Sequence, residues 1–384
     1  MKKSTPPAAP KAATPPAATV GAASTSSVVG SPSGKLLEST KQMQRRLDAF
    51  EKLLNEEDID LQVLRKASWT GVPPQYRAKV WQLLLGYLPT RRSRREETLT
   101  RKREDYLSAL PKYWGGGSQI TANQQQTGST QQLMEEDQKN LRQILVDIPR
   151  TAPDLPLFHS EEVRRSLERV LYIWAIRHPA SGYVQGMNDL VTPFYATFLA
   201  DKVCAGDLQA ANEIDTSIIG SGLLDAVESD TYWCLTKLLD GIQDHYTSSQ
   251  PGLQRMVFLL QAVVQRIDAP LHAHFEKHGL MYVQFAFRWM NCLLLRELSL
   301  DVVARLWDTY LSEESGFASF HVYVCAAMLV SFSDELRAMN LEDMIMFLQN
   351  LPTRDWNSAR ADSLLSQAYI LQTLFDQSPA HLQS

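Results

Sequence analysis

From Leu36 onward, apolar side chains recur along this chain at the three-to-four-residue spacing of α-helices. Met43, Leu47, Phe50 and Leu54 share one face and predict a helix over Leu36–Leu64, the core of an N-terminal helical segment at 36–66. Pro73 and Pro74 suit a helix's first turn, where a missing amide hydrogen is no loss, and Tyr76, Val80, Leu83 and Leu84 follow at helical spacing. Ser160 is a good N-cap ahead of Glu161 and Glu162, and its helix carries Val163, Leu167, Val170, Leu171 and Trp174 on one stripe. Met187, Leu190, Val191, Phe194 and Phe198 form another. Further stripes lie at Leu235–Ile242, Met256–Ile267, Val302–Leu311, Met344–Leu348 and Leu364–Phe375. No stretch of five or six residues alternates apolar and polar, and no repeat of fixed length is present, so the predicted fold is all-α and not a regular solenoid.

The pattern breaks in three places. Residues 1–35 are Pro/Ala/Ser-rich and too poor in large apolar side chains to offset the entropy of ordering, which predicts a disordered tail. Residues 115–132 have the composition of a flexible insertion, and a milder break spans Asp201–Gly222. These divide the chain into the tail, the 36–66 segment, a main domain over 67–350, and a C-terminal helix and tail over 351–384.

Composition narrows the function classes. The formal net charge of −5 gives no electrostatic footprint for nucleic acid. The four cysteines form no CxxC pair and read as buried hydrophobes in a reducing, cytoplasmic setting. The apolar run His321–Phe332 is too short to span a bilayer, and no apolar run follows Lys2–Lys3 as a secretory signal would require. With no lipidation motif, any attachment to Golgi or other endomembranes is expected to be peripheral, without direct membrane insertion.

Most reaction chemistries lack their residues. Gly30–Leu36 is one residue short of a P-loop and has leucine where the magnesium-binding Ser/Thr belongs. His272, His274, Glu276 and His278 lack the order of a zinc-protease helix, and Gly220-Ser221-Gly222 reads as a loop. No metal and no cofactor of the chain's own is predicted.

Two segments remain. In Ile144-Leu-Val-Asp147-Ile-Pro149-Arg150, proline stops the helix and projects Arg150 from a rigid turn, with Asp147 placed in sequence to orient it. A surface ion pair at i, i+3 would have the same spacing. In Gly182-Tyr183-Val-Gln185-Gly186, two glycines flank a Tyr-x-Gln ahead of an apolar helix. An ordinary helix-to-helix turn with the tyrosine packed inward also fits. As a pair, a permanently charged, fork-shaped arginine and an exposed amide suit phosphoryl transfer, which needs positive charge on the γ-phosphate and a group that positions water.

At these residues the chain resembles the TBC-domain family of Rab GTPase-activating proteins over about residues 65–350. Trp69-Thr-Gly71-Val-Pro73, Arg77 and Trp81 match its opening signature. Ile144, Asp147 and Arg150 match the arginine-finger motif, Tyr183 and Gln185 the glutamine-finger motif, and Trp307-Asp308 a later signature. The run Ser181–Phe194, which includes Gly186, looks closest to the branch associated with Golgi and early secretory Rabs.

The resemblance implies a V-shaped helical domain that receives a GTP-bound Rab. Arg150 would stabilise transition-state charge and Gln185 would position water. Asp147 would hold Arg150, and Tyr183 would support the glutamine loop. GTP and Mg²⁺ would belong to the partner, making the chain an activator and not an enzyme in its own right. The N-terminal segment offers a surface for an adaptor. The alternatives are a non-catalytic TBC scaffold that binds a Rab or Golgi partner, and a helical adaptor unrelated to GTPases.

Overall fold

The computed structural model describes residues 32–114, 128–247 and 249–376, with side chains from residue 41 and, after the 115–127 gap, from residue 135. The predicted disordered tail therefore lies almost wholly outside the described residues, as does most of the 115–132 insertion. Residues up to Arg46 fall in a unit of their own, and Leu47–Ser384 forms the second unit. Among the described residues there is no strand, and an isolated bridge pairs Asp58 with Arg91. The fold is all-α, as the periodicity predicts.

The predicted Leu36–Leu64 helix is two helices, α1 (Pro32–Leu54) and α2 (Leu61–Ser68). The acidic stretch between them supplies the stop, because the Asp60 carboxylate accepts from the amides of Gln62 and Val63 and caps α2. Within the second unit, Phe50 from the end of α1 stacks on Tyr76 of α3 (Pro74–Leu84). Pro73 and Pro74 stand at the start of α3 as predicted. After α4 (Arg95–Tyr113), α5 (Gly128–Asp147) begins inside the segment predicted as loop. It ends in a 3₁₀ turn over Ile148–Arg150, where Pro149 interrupts regular helix bonding. Ser160 caps α6 (Glu161–Arg177) through its Oγ and the Val163 amide.

α7 (Met187–Val203) runs through the centre, and its residues from Met187 to Ala200 are buried on every side. Pro193 leaves the Asp189 carbonyl without its helical donor, and the Thr192 hydroxyl donates to that carbonyl at 2.8 Å. α8 (Leu208–Asn212) follows within the predicted mild break, and α9 (Ser221–Gly241) starts directly after Gly220, so Gly220–Gly222 opens a helix. Two buried acids of α9 tie its neighbours down. Glu228 accepts from Tyr106 and Arg169, and Asp230 accepts from Gln82, Tyr87 and Arg103.

The remaining helices are α10 (Pro251–Ile267), α11 (Ala269–His278), α12 (Val283–Asn291), α13 (Leu300–Ser312), α14 (His321–Val330), α15 (Ser333–Arg337), α16 (Leu341–Gln349) and α17 (Ser358–Asp376). α17 packs on α13 and α14 with Ala361, Leu364, Leu365 and Ala368 buried, so this helix contributes to the core. Among the described residues no helix is long and apolar enough to cross a membrane, and no group of acidic, histidine or cysteine side chains could hold a metal ion.

A further tie in the core is Asp308 on α13, whose side chain is wholly buried. Its carboxylate accepts from the Val72 amide at 2.8 Å, from Trp81 Nε1 at 2.8 Å and from Arg77 Nε at 3.1 Å. A buried carboxylate is tolerated only when paired and fully hydrogen-bonded, and here both conditions hold. Trp81 then meets Trp307 at 5.8 Å between ring centroids, and both rings pack on Phe194 of α7. Each such fully buried side chain stabilises the fold by roughly 1.5–3 kcal/mol. Asp308→Ala strands Arg77 and Trp81 without their acceptor. It should cost about 3–5 kcal/mol, read as a lowered urea midpoint.

His245 and His321 are buried, and burial pushes both imidazoles down to about 4. His321 Nε2 donates to the Trp289 carbonyl at 3.0 Å, so its Nδ1 accepts from the Tyr310 hydroxyl at 2.9 Å. The unfolded chain takes up these protons near the ordinary histidine value while the folded chain does not. Stability from this source is therefore complete above about pH 6.5 and is lost as pH falls toward 4, by at most about 1.4 kcal/mol per pH unit per histidine. The imidazole resonances of His245 and His321 should stay unshifted between about pH 7.5 and 5.5 in a proton NMR titration.

Candidate functional site

The site begins at the end of α5. Ile144, Asp147 and Ile148 share the inward face and are buried, whereas Arg150 is exposed. This division corrects the expectation that Asp147 orients Arg150, since the two form no ion pair in the structure. The Asp147 carboxylate instead accepts from the Tyr183 hydroxyl at 2.8 Å and from Gln143 Nε2 at 3.3 Å. Burial, with the Asp147 charge alongside, pushes the Tyr183 phenol well above its ordinary value, so it stays protonated and donates. Asp147 thus holds the glutamine loop, and the arginine side chain makes no hydrogen bond or ion pair among the described residues.

Gln185 lies on the loop between α6 and α7. Gly182 and Gly186 both have positive φ, of 60° and 104°. A Cβ at Gly186 would collide with the amide of Asn291, whose Nδ2 donates to the Gln185 carbonyl at 3.0 Å. At the other end of the loop the Tyr183 amide donates to Asn140 Oδ1 at 3.1 Å. The backbone around Gln185 is fixed while its side chain is exposed and makes no hydrogen bond among the described residues.

One side chain joins the two turns. Asn188, 1% exposed, accepts from the Gly186 amide at 3.1 Å through Oδ1 and donates to Thr151 Oγ1 at 3.0 Å through Nδ2. The Thr151 hydroxyl donates to the Asp147 carbonyl at 3.1 Å. Thr151 directly follows Arg150, and Gly186 directly follows Gln185. The turn carrying the arginine and the loop carrying the glutamine therefore rest on one buried hydrogen-bonded frame. Asn188, Thr151 and Asn291 were not singled out from the sequence. The available signal was a run of polar residues, Asn188, Asp189 and Thr192, in an otherwise apolar helix.

Arg150 also lines a groove of about 810 Å³ with Asp189, Thr192, Leu295 and Arg296. Arg296 Nε donates to Asp189 at 2.8 Å, while burial pushes the Asp189 carboxyl above its usual value. Left-handed backbone at Ala152, Leu293 and Leu294 flanks this region. Such conformations cost on the order of 1–3 kcal/mol each and persist only where surrounding packing imposes them. The other signature residues lie apart from this frame. Trp81, Arg77, Trp307 and Asp308 build the core already described. Trp69 donates to Glu313 and its carbonyl accepts from Thr309, while Gly71, at φ 98°, packs beneath Arg305.

Asn188→Ala removes the acceptor of the Gly186 amide and the donor to Thr151. It should lower stability by about 1–3 kcal/mol and abolish hydrogen-exchange protection at the Gly186 amide.

Residues 74–337 match the Rab-GTPase-TBC domain. The chain is 46% identical over 343 residues to TBC1 domain family member 22B of Homo sapiens, covering 89% of this chain and 64% of that protein. It is 44% identical over 339 residues to the GTPase-activating protein gyp1 of Schizosaccharomyces pombe, covering 88% of this chain and 63% of that protein. It thus spans somewhat under two thirds of these relatives' lengths. The crystal structure of the Ypt/Rab-GAP domain of Gyp1p is similar with a TM-score of 0.78 at 45% identity, covering 86% of this chain and 98% of that one. The family match extends over well more than half of the sequence, and this chain belongs to the Rab-GTPase-TBC domain family.

Proposed function

We propose that this chain activates GTP hydrolysis by a Rab-family small GTPase, supplying Arg150 as an arginine finger and Gln185 as a glutamine finger in trans. One observation carries the reading. Both side chains are exposed and unpartnered among the described residues, while the backbone beneath them is fixed by the Asn188–Thr151 frame. Phosphoryl transfer gains most from charge and hydrogen-bonding groups that are positioned before the reaction begins. An unpaired guanidinium on a rigid turn is available to the γ-phosphate without first breaking an ion pair. The Gln185 amide can donate to and accept from an attacking water. In this reading Asp147 and Tyr183 act through the glutamine loop.

GTP and Mg²⁺ are bound by the Rab, so the chain needs no cofactor of its own and is an activator, not a hydrolase. It acts in the cytoplasm at the surface of an endomembrane such as the Golgi, with the N-terminal segment available to an adaptor.

The test is single-turnover GTP hydrolysis across a panel of purified Rabs. A trans-acting arginine is worth on the order of 10³–10⁵ in rate, so Arg150→Ala should lose about 10³-fold or more on a responsive Rab. Gln185→Ala should also lose most of the acceleration. Arg150→Lys keeps the charge but not the fork and should recover little. Binding of a GTP-loaded Rab without acceleration would replace this reading with a non-catalytic scaffold.

A further inference from the structure

The exposed surface of α5 changes character as it approaches Arg150. Glu135, Glu136, Lys139, Arg142 and Gln143 are exposed and polar, as a solvated helix face should be. In the last turn the exposed residues become apolar, with Leu145 45% and Val146 50% exposed, and the exposed Pro149 follows. Val146 and Pro149 stand three residues apart, Leu145 and Pro149 four, and Val146 and Arg150 four. This spacing makes a short ridge leading to the arginine. The same turn fills its inward positions with Ile144, Asp147 and Ile148, so the ridge is not needed for the core.

We infer that Leu145, Val146 and Pro149 form an apolar docking edge for the GTPase that receives Arg150, and that this edge sets affinity and not the rate of the bound complex. The inference rests on the reading of Arg150 given above. With a rise of about 1.5 Å to the end of α5 and about 2.0 Å per residue through the 3₁₀ turn, Val146 lies about 7–8 Å along the axis from Arg150. A globular partner with a radius of gyration above about 13 Å cannot bring its nucleotide to the Arg150 guanidinium without covering that turn. Covering it removes two branched aliphatic side chains from water, which favours association. The partner surface opposite is therefore apolar, because an unpaired charge there would be stranded. Neither side chain reaches the reacting groups, so their contribution is the same before and in the transition state.

The experiment measures single-turnover hydrolysis against activator concentration, on a Rab that responds to wild type. It compares wild type, Arg150→Ala, the double variant Leu145→Ser/Val146→Ser, and Leu145→Met. The double variant should raise the half-saturating concentration about tenfold or more. Its maximal rate should change less than about threefold, and Leu145→Met should behave as wild type. Arg150→Ala should lose the maximal rate instead. Thermal midpoints check folding; if the double variant does not fold, Val146→Thr, which keeps the side chain's shape, decides by the same shift in half-saturation. Acceleration by wild type with unchanged half-saturation in the folded variants overturns this inference alone. The same holds if the double variant only disrupts self-association of this chain. No acceleration of any Rab by wild type overturns both readings.

Discussion

A carboxylate with no access to water, Asp308, sets the geometry on which the rest of the structure depends. It gathers the Val72 amide, Arg77 and Trp81 from the beginning of the domain onto α13 near its end. Charge in a low-dielectric interior is intolerant of loose arrangement, because each missing donor leaves a large desolvation penalty uncompensated. That intolerance fixes Trp81 against Trp307 and so fixes the aromatic seat for Phe194. Phe194 in turn positions α7, whose first turn carries Asn188. Position is thus passed from a buried ion pair, through ring packing, to the polar frame beneath Arg150 and Gln185.

That frame and the groups it displays obey opposite rules. Asn188, Thr151, Tyr183 and Asp147 are buried and satisfied by one another. The side chains of Arg150 and Gln185 are exposed and make no hydrogen bond or ion pair among the described residues. Polar groups that stabilise one another inside keep the turns rigid, and the displayed side chains retain their full bonding capacity for a partner. Strained backbone at Ala152, Leu293 and Leu294 sits beside the same region.

The sequence carried the helices well because their periodicity is local. Pro74, Ser160 and the stripes on α6, α7, α10 and α13 occupy the positions their spacing predicts. What it carried poorly depended on pairing between distant segments. Leu36–Leu64 looked continuous because apolar residues bridge the Asp60 cap. The Asp147–Arg150 pair was suggested by sequence proximity, yet Asp147 shares its face with Ile144 and Ile148 and turns inward to Tyr183. Glu228 and Asp230 sit in an apolar helix with partners more than 50 residues away, up to 148 for Gln82. Polar residues inside an apolar stripe were the one local sign of such pairings. They mark where a helix is tied, without naming to what.

The span of the Asp308 tie also has a meaning in time. Val72 and Asp308 are 236 residues apart, and Arg150, Gln185 and Asn188 all lie between them. At roughly 5–20 residues per second, a ribosome makes the donor about 10–50 s before its acceptor. Through that interval Arg77 and Trp81 have no buried acceptor, and α7 has no finished aromatic seat. The nascent chain thus holds both fingers long before it holds the scaffold that aligns them, and competence arrives only once α13 has been made.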